Sequence, residues 1–414
     1  MWKILKYQLR QKLNQVNAYK KSKRLQIESE AFIMKHPYLT HDHEIFRKSL
    51  RKFLEKEAVP YYAQWEEERM IPRSLWRKMG EQGFLCPDLD EIYGGSGVDW
   101  GFSVVINEEL ERVGSGLVGM GLHNDIVVPY INSFGTAEQK QRWLPRCVTG
   151  ELITAIAMTE PGTGSDLANI KTTAKQDGDH YILNGQKTFI TNGIQSDLIL
   201  IACKTDPNAV PKHKGVSLLL VERDTPGFSR GRKLNKVGLH SQDTAELIFE
   251  DCRVPKENLL GEEGKGFLYM MDKLQQERLL VAIAAQISAE VMLQGTIDYV
   301  KSREAFGKPI SQFQNTQFKI AEMATEVEMG RAFLDQLIAE HIEGQNVVTK
   351  VSMAKWRLTD TAKKIAGECL QLHGGYGYME EYEIARRFRD IQVSSIYAGT
   401  NEIMKTIIAK NLGL

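Results

Sequence analysis

The chain has 414 residues, 42% hydrophobic and 26% charged, with Lys+Arg and Asp+Glu both at 53. Such a length allows two or three domains around a sizeable core, and 34 Gly with 12 Pro exclude collagen-like and low-complexity classes. A formal charge of zero gives no whole-chain basic surface for nucleic acid.

The zero conceals an asymmetry. Met1 to Ile27 carries eight Lys/Arg and no Asp/Glu, so the rest has 45 basic and 53 acidic residues, a net of −8. Within this stretch Trp2, Leu5, Leu9, Leu13 and Val16 recur at helical spacing. Three readings of the arm (residues 1–40) stand side by side. It is a solvated extension, a weak membrane-surface contact through residues 1–27, or a mitochondrial presequence. Lys dominance and a single Ser22 count against the last.

Five scattered cysteines with no C-x-x-C pair disfavour disulfides and zinc ribbons, and imply a reducing compartment. No run of 18 apolar residues occurs, so no membrane-spanning helix is expected. The expected location is a bacterial cytoplasm, with the mitochondrial matrix as alternative.

From 41 to 150 the pattern is helical. His43 to Ala58 repeats apolar residues at helical spacing until Pro60 stops it, and the periodicity resumes over Phe102–Val113 and Glu138–Cys147. A Gly-rich turn at Tyr93–Gly97 interrupts the block. Between 151 and 262, short β-prone runs alternate with hairpin-type turns at Asp177-Gly178, Asn184-Gly185 and Asn192-Gly193, which predicts an antiparallel β domain. From 263 to 414 helices return and stay long: Phe267–Ser302, Gln314–Glu343, Val348–Leu372 and Glu402–Lys410. Helices, strands, helices is an α+β order.

Three clusters carry chemistry. Met158-Thr159-Glu160-Pro161-Gly162-Thr163-Gly164-Ser165-Asp166 stands where the helical pattern gives way to strand, and its small residues let main-chain N–H groups approach a ligand closely. It is neither a Walker loop nor a Rossmann fingerprint, and a loop of this kind taken alone is more often a plain turn. Gln371-Leu372-His373-Gly374-Gly375-Tyr376-Gly377-Tyr378 and Ile396-Tyr397-Ala398-Gly399-Thr400-Asn401-Glu402 each read also as a helix stop with the next helix's cap. His373 and the His41-Asp42-His43 triplet read as structural, and no metal site is expected.

With these clusters in order, the chain from His41 to Leu414 resembles the acyl-CoA dehydrogenase family. AMTEPGTGSD resembles its first signature and QLHGGYGYMEEYEIARRFRDIQVSSIYAGTNEIMK its second. QDTAELIFED, QQERLL, REAFGKPI and IYAGTNEIMK most resemble the long-chain branch. The resemblance implies an N-terminal helical domain (41–150), a middle antiparallel β-barrel domain (151–262) and a C-terminal four-helix domain (263–414), usually a homotetramer. It implies FAD, a fatty acyl-CoA substrate, long-chain or branched, and electron-transfer flavoprotein as electron acceptor.

Carried over by position, Ile156 to Ser165 and Phe189, Ile190 and Thr191 flank the flavin, with Phe189 where many relatives have Trp. Arg303 suits the pyrophosphate, with Phe306 and Gln314 close by. Gln371 to Gly375 complete a partner subunit's FAD site, and Thr400, Asn401 and Glu402 lie at the near end. Ser165, Leu274, Gln275, Gln276, Glu277, Ala398 and Gly399 face the acyl-CoA. Many relatives place the catalytic base where this chain has Ala398, which cannot take a proton. Long-chain and isovaleryl relatives place it on the first long C-terminal helix, and Glu277 matches that position. By residue type alone, a Glu beside Arg278 reads as a surface charge.

The implied reaction is α,β-dehydrogenation to a trans-2-enoyl-CoA, the first step of β-oxidation. An oxidase of the same fold, a catalytically inactive scaffold and a DNA-binding flavoprotein are the rivals. The absence of a basic tract in the body counts against the last.

Overall fold

The computed structural model describes residues 36–414; the amphipathic stretch expected over residues 1–27 lies outside the described residues. Helices come first: α1 (His41–Glu57), α2 (Tyr62–Glu68), α3 (Arg73–Glu81), α4 (Trp100–Val113), the single turn α5 (Val118–Gly121), α6 (Val128–Phe134) and α7 (Ala137–Val148). Helix α1 buries Leu50 and Leu54, the spacing seen in sequence, and α7 opens on a reciprocal Thr136/Gln139 capping box. Between α5 and α6 the chain widens into a π-helical turn, Leu122–Val127, for which the sequence has no signature.

Seven strands follow: β1 (Thr154–Ala157), β2 (Thr173–Asp177), β3 (His180–Thr191), β4 (Leu198–Lys204), β5 (Val216–Glu222), β6 (Phe228–Lys233) and β7 (Thr244–Pro255). They form one curled sheet in the order β1-β4-β2-β3-β7-β6, with β5 on β4. The expected antiparallel character holds for β2–β3, β3–β7, β4–β5 and β6–β7. It fails at β1, which runs parallel to β4, and at the β2–β4 bridge. The cause is connectivity: β2 and β3 separate β1 from β4 in sequence, and that crossover permits a parallel pair.

Strand β4 is buried along its whole length. Its Leu198, Leu200 and Ala202 join the core of the N-terminal helices, while Ile199, Ile201 and Cys203 meet Tyr181, Phe249 and Val254 inside the curl. Alternation along one strand thus welds two cores together.

The last block holds α8 (Gly266–Ser302), a two-residue hairpin of β8 (Glu304–Ala305) and β9 (Lys308–Pro309), then α9 (Gln314–Ile342), α10 (Val348–Leu372), α11 (Glu383–Asp390) and α12 (Asn401–Asn411). Helix α8 has 37 residues, about 55 Å at 1.5 Å per residue. It is apolar and long enough to cross a membrane by composition, but two-thirds of its most apolar window (67%) is buried against protein, as befits a core helix. Its Leu279, Ile283, Ile287 and Met292 pack with α9 and α10 residues such as Leu334, Val351 and Ile365.

Candidate active site

Three groups of residues assemble where the blocks meet. In the first, Glu160 and Thr163 exchange backbone hydrogen bonds of 2.9 and 3.0 Å, so Pro161 and Gly162 form an exposed tip. The buried Glu160 carboxylate accepts from Lys187 Nζ (2.8 Å) and from the N–H groups of Lys171 (2.5 Å) and Thr172 (3.0 Å). Lys187 also donates to Met158 O at 2.9 Å. Glu160 therefore clamps the loop with its side chain, leaving main chain for a ligand. No atom lies within 4 Å of a Cβ built on Gly162 or Gly164, so this main chain faces open space.

Strand β3 passes beneath and loses register with β7 between Lys187 and Ile190. The bulge drives Phe189 to φ +61° and turns its ring outward, 69% exposed, while Ile190 and Thr188 stay buried. An aromatic face beside open backbone donors fits a flat heteroaromatic ring with polar edges.

The second group surrounds Glu277, which is 6% exposed despite its charge. The surface-charge reading from residue type is thereby corrected: the packing of α8 against the π-helical turn and α6 encloses it. Tyr130, on α6, donates its O–H to Glu277 Oε1 at 2.9 Å, and Oε2 accepts no hydrogen bond among the described residues. Burial pushes the Glu277 carboxyl up to about 7, against the lowering influence of Tyr130 and Arg278. Arg278 reaches the Ala398 carbonyl at 3.4 Å. Ala398 (φ +53°) and Gly399 (φ +89°) are consecutive left-handed residues, and neither N–H makes a backbone hydrogen bond among the described residues. At residue 401 the carbonyl-rich turn becomes α12, capped by Thr400 through Ile403 N (3.3 Å). Asn401 is buried, whereas Glu402 is exposed.

Leu274 is buried beside this group. Gln275 donates to His341 Nδ1 and the Gln345 carbonyl and accepts from Val347 N. Gln276 donates to the Asp125 carbonyl at 2.7 Å. Both side chains are directed to the scaffold and fix the azimuth of α8, and hence of Glu277.

The third group is a cleft of about 580 Å³ lined by Arg303, Gln371 to Gly375, Tyr299, Ile310, Tyr376 and Met379. Arg303 lies over the Tyr376 ring at 5.4 Å. His373 stacks on Tyr299 at 4.1 Å and bonds the Cys369 carbonyl, so it forms the cleft floor. Burial lowers its basicity. Gly374 (φ +58°) and Gly375 have no atom within 4 Å of an added Cβ, which again leaves main chain open. A guanidinium, bare backbone and an aromatic ring are a donor set that fits a nucleotide pyrophosphate. Phe306, 96% exposed, and Gln314 are outside this lining.

Sequence reasoning missed Tyr130, Tyr299 and Tyr376. Tyr299 stands one helical turn before Arg303 and Tyr376 within the Gly-rich cluster, so their neighbours were signals; Tyr130 had none.

The chain is similar to known proteins over most of its length. Family models described as acyl-CoA dehydrogenase N-terminal, middle and C-terminal domains match residues 40–151, 155–252 and 264–413. The long-chain specific acyl-CoA dehydrogenase of Sus scrofa mitochondria is 46% identical over 371 residues, covering 90% of this chain and 86% of that protein. The crystal structure of an acyl-CoA dehydrogenase from Geobacillus kaustophilus superposes with a TM-score of 0.91 at 70% identity, covering 91% of this chain and all (100%) of that one. A chain from work on the electron transferring flavoprotein of Acidaminococcus fermentans gives 0.87 at 38% identity, covering 91% and 99%. The chain belongs to the acyl-CoA dehydrogenase family, whose members are FAD-dependent oxidoreductases of fatty acid metabolism.

Proposed function

We propose that this chain dehydrogenates a fatty acyl-CoA, long-chain or branched, between Cα and Cβ, with Glu277 as the base. The observation that carries the reading is a buried carboxyl poised near neutrality, with one oxygen held by Tyr130 and the other unbonded among the described residues. Bound FAD, held by the Ile156–Ser165 loop, Phe189–Thr191, Arg303 and Gln371–Gly375, supplies the acceptor for the Cβ hydride.

Glu277 Oε2 takes the α proton. A thioester α proton is weakly acidic, so charge developing on the thioester oxygen must be stabilised at the same moment. The free N–H groups of Ala398 and Gly399 are the donors this chain offers there. Burial around Glu277 excludes water and keeps the base strong enough. The product is a trans-2-enoyl-CoA. Electron-transfer flavoprotein is the onward acceptor, supported by the Acidaminococcus likeness. A homotetramer, typical of the family, pairs the Gln371–Gly375 cleft with a neighbour's cofactor. The Geobacillus likeness supports a bacterial cytoplasm, and residues 1–27 supply a weak membrane-surface contact. The functional units are 41–150, 151–262 and 263–414.

An anaerobic screen of acyl-CoAs graded in length and branching, read as flavin bleaching, tests the reaction and its substrate. Glu277→Gln keeps FAD and acyl-CoA binding but slows bleaching about 10²–10⁴-fold, the usual contribution of a general base. Ala398→Glu in that background restores part of the rate. Bleaching of Glu277→Gln at the parent rate overturns the assignment, and a folded protein that cannot be loaded with FAD overturns the whole reading.

A further inference from the structure

Lys355 is fully buried (0% exposed), two turns into α10. A buried ammonium ordinarily sits against a carboxylate, because desolvation is costly. Lys355 has no such partner among the described residues: Nζ donates to the Gly399 carbonyl at 2.8 Å and to Asn401 Oδ1 at 3.0 Å, both neutral. Burial, reinforced by nearby Arg278, lowers its pKa to about 8.

The turn that Lys355 anchors at Gly399 contains a strained residue, the left-handed Ala398. A left-handed alanine persists only when its surroundings over-determine it. Here the surroundings are two cations: Arg278 faces the Ala398 carbonyl and Lys355 the Gly399 carbonyl. Asn401, the other partner of Lys355, is tied to Asp360 Oδ1 at 2.8 Å and Thr359 Oγ1 at 3.0 Å. The turn is thus suspended from α8 and α10 by its carbonyl side. In a trans peptide the Gly399 N–H points away from the Ala398 carbonyl and the Thr400 N–H away from the Gly399 carbonyl, so fixing both carbonyls fixes the direction of the donors on the other side of the turn.

We infer that Lys355 is a positioning residue for α-proton removal, fixing the Ala398–Gly399 turn so that its N–H groups meet the thioester oxygen. The inference rests on the proposed thioester-binding role of that turn. Lys355 touches neither substrate nor Glu277; it acts by anchoring the Gly399 carbonyl and so fixing the backbone of the turn, while the Gly399 N–H belongs to the peptide whose Ala398 carbonyl Arg278 holds.

The test uses FAD-loaded protein and Lys355→Met, which keeps length and loses the charge and the donors. The probe is a trans-2-enoyl-CoA labelled with ¹³C at the thioester carbonyl, which binds without turnover. Isotope-edited infrared spectroscopy reads how far binding shifts its carbonyl stretch to lower frequency. In the parent the band shifts; in Lys355→Met the shift shrinks, and the limiting rate of flavin bleaching falls roughly 10- to 100-fold. The acyl-CoA dissociation constant changes far less, and FAD content stays at parent level. Lys355→Arg, which keeps a cationic donor, recovers most of both signals. If Lys355→Met does not fold, Lys355→Gln, with a polar but shorter and neutral end, carries the same readouts. A parent-like shift and parent-like limiting rate in the neutral variant overturn the role of Lys355. No shift in the parent itself overturns the thioester-binding role of the turn instead, and Glu277→Gln separates both outcomes from failure of the base.

Discussion

A carboxyl buried beside a tyrosine hydroxyl is a tunable base, and the geometry at Glu277 gives the tuning a sign. Burial favours the neutral acid, whereas the Tyr130 hydrogen bond and the Arg278 charge favour the carboxylate. Asp272 acts on Tyr130, and Lys355 and Arg278 lie close enough to repel each other. Proton abstraction needs the carboxylate, so the rate of flavin bleaching rises with pH through the region near 7. Tyr130→Phe removes a stabiliser of the charged form and moves that rise to higher pH. A charge-assisted hydrogen bond is worth about 1.5–3 kcal/mol, so roughly tenfold or more of the rate is lost near pH 6 and most returns near pH 9. Stopped-flow bleaching across pH checks this. A uniform loss at every pH, with no displacement of the profile, would mean that Tyr130 is only a packing group.

At the scale of elements, the π-helical turn ties α6, which carries Tyr130, to α8, where Gln276 stands. A wider turn frees a main-chain carbonyl from its usual partner, and the Asp125 carbonyl accepts from Gln276 Nε2. The Asp125 side chain sits in the same turn, 2% exposed, with Asn107 on Oδ2 and nothing on Oδ1 among the described residues. Burial, with Asp88 adding to it, raises this carboxyl to about 7. A carboxyl whose folded value lies above its unfolded one stabilises the fold while protonated in both states, and that stability is lost as pH rises from about 4 toward 7. Asp125→Asn mimics the neutral acid. Its thermal midpoint matches the parent near pH 4 and exceeds it by several degrees near pH 8, since every tenfold difference in proton affinity between folded and unfolded chains is worth about 1.4 kcal/mol. Equal midpoints at pH 8 would refute a protonated Asp125 as the resting form.

Across the whole molecule, what the sequence showed and what it hid divide by sequence distance. The change of period at residue 151 and back at 263 is local, so the α+β order was readable before any contact was known. Glu277 was readable only through the QQERLL resemblance, because local residue type points the other way. The parallel β1–β4 pair, the bond between Tyr130 and Glu277, and the Lys355 tether join distant segments, and no local rule encodes them.

The same distance argument gives the last prediction, at the edge of the described chain. His36 Nδ1 meets Asp335 Oδ2 at 2.9 Å and Tyr38 O–H reaches Oδ1 at 3.5 Å. Asp335 belongs to a buried network in which Arg331 bonds Glu108 (3.0 Å) and Glu290 (2.6 Å), and Arg47 bonds Glu108 (2.7 Å). That network joins α1, α4, α8 and α9, so the segment 36–40 is fastened to the body. Removing residues 1–34 therefore leaves FAD content, thermal midpoint and bleaching rate at parent values. Removing residues 1–40 strips His36 and Tyr38 from Asp335 and opens buried charges to water, which costs about 1–3 kcal/mol and lowers the midpoint by several degrees. If residues 1–27 serve as a membrane-surface contact, the shorter deletion alone abolishes salt-sensitive sedimentation with anionic vesicles. Loss of folded, flavin-loaded protein on removing residues 1–34 would place the arm within the fold and overturn the separation.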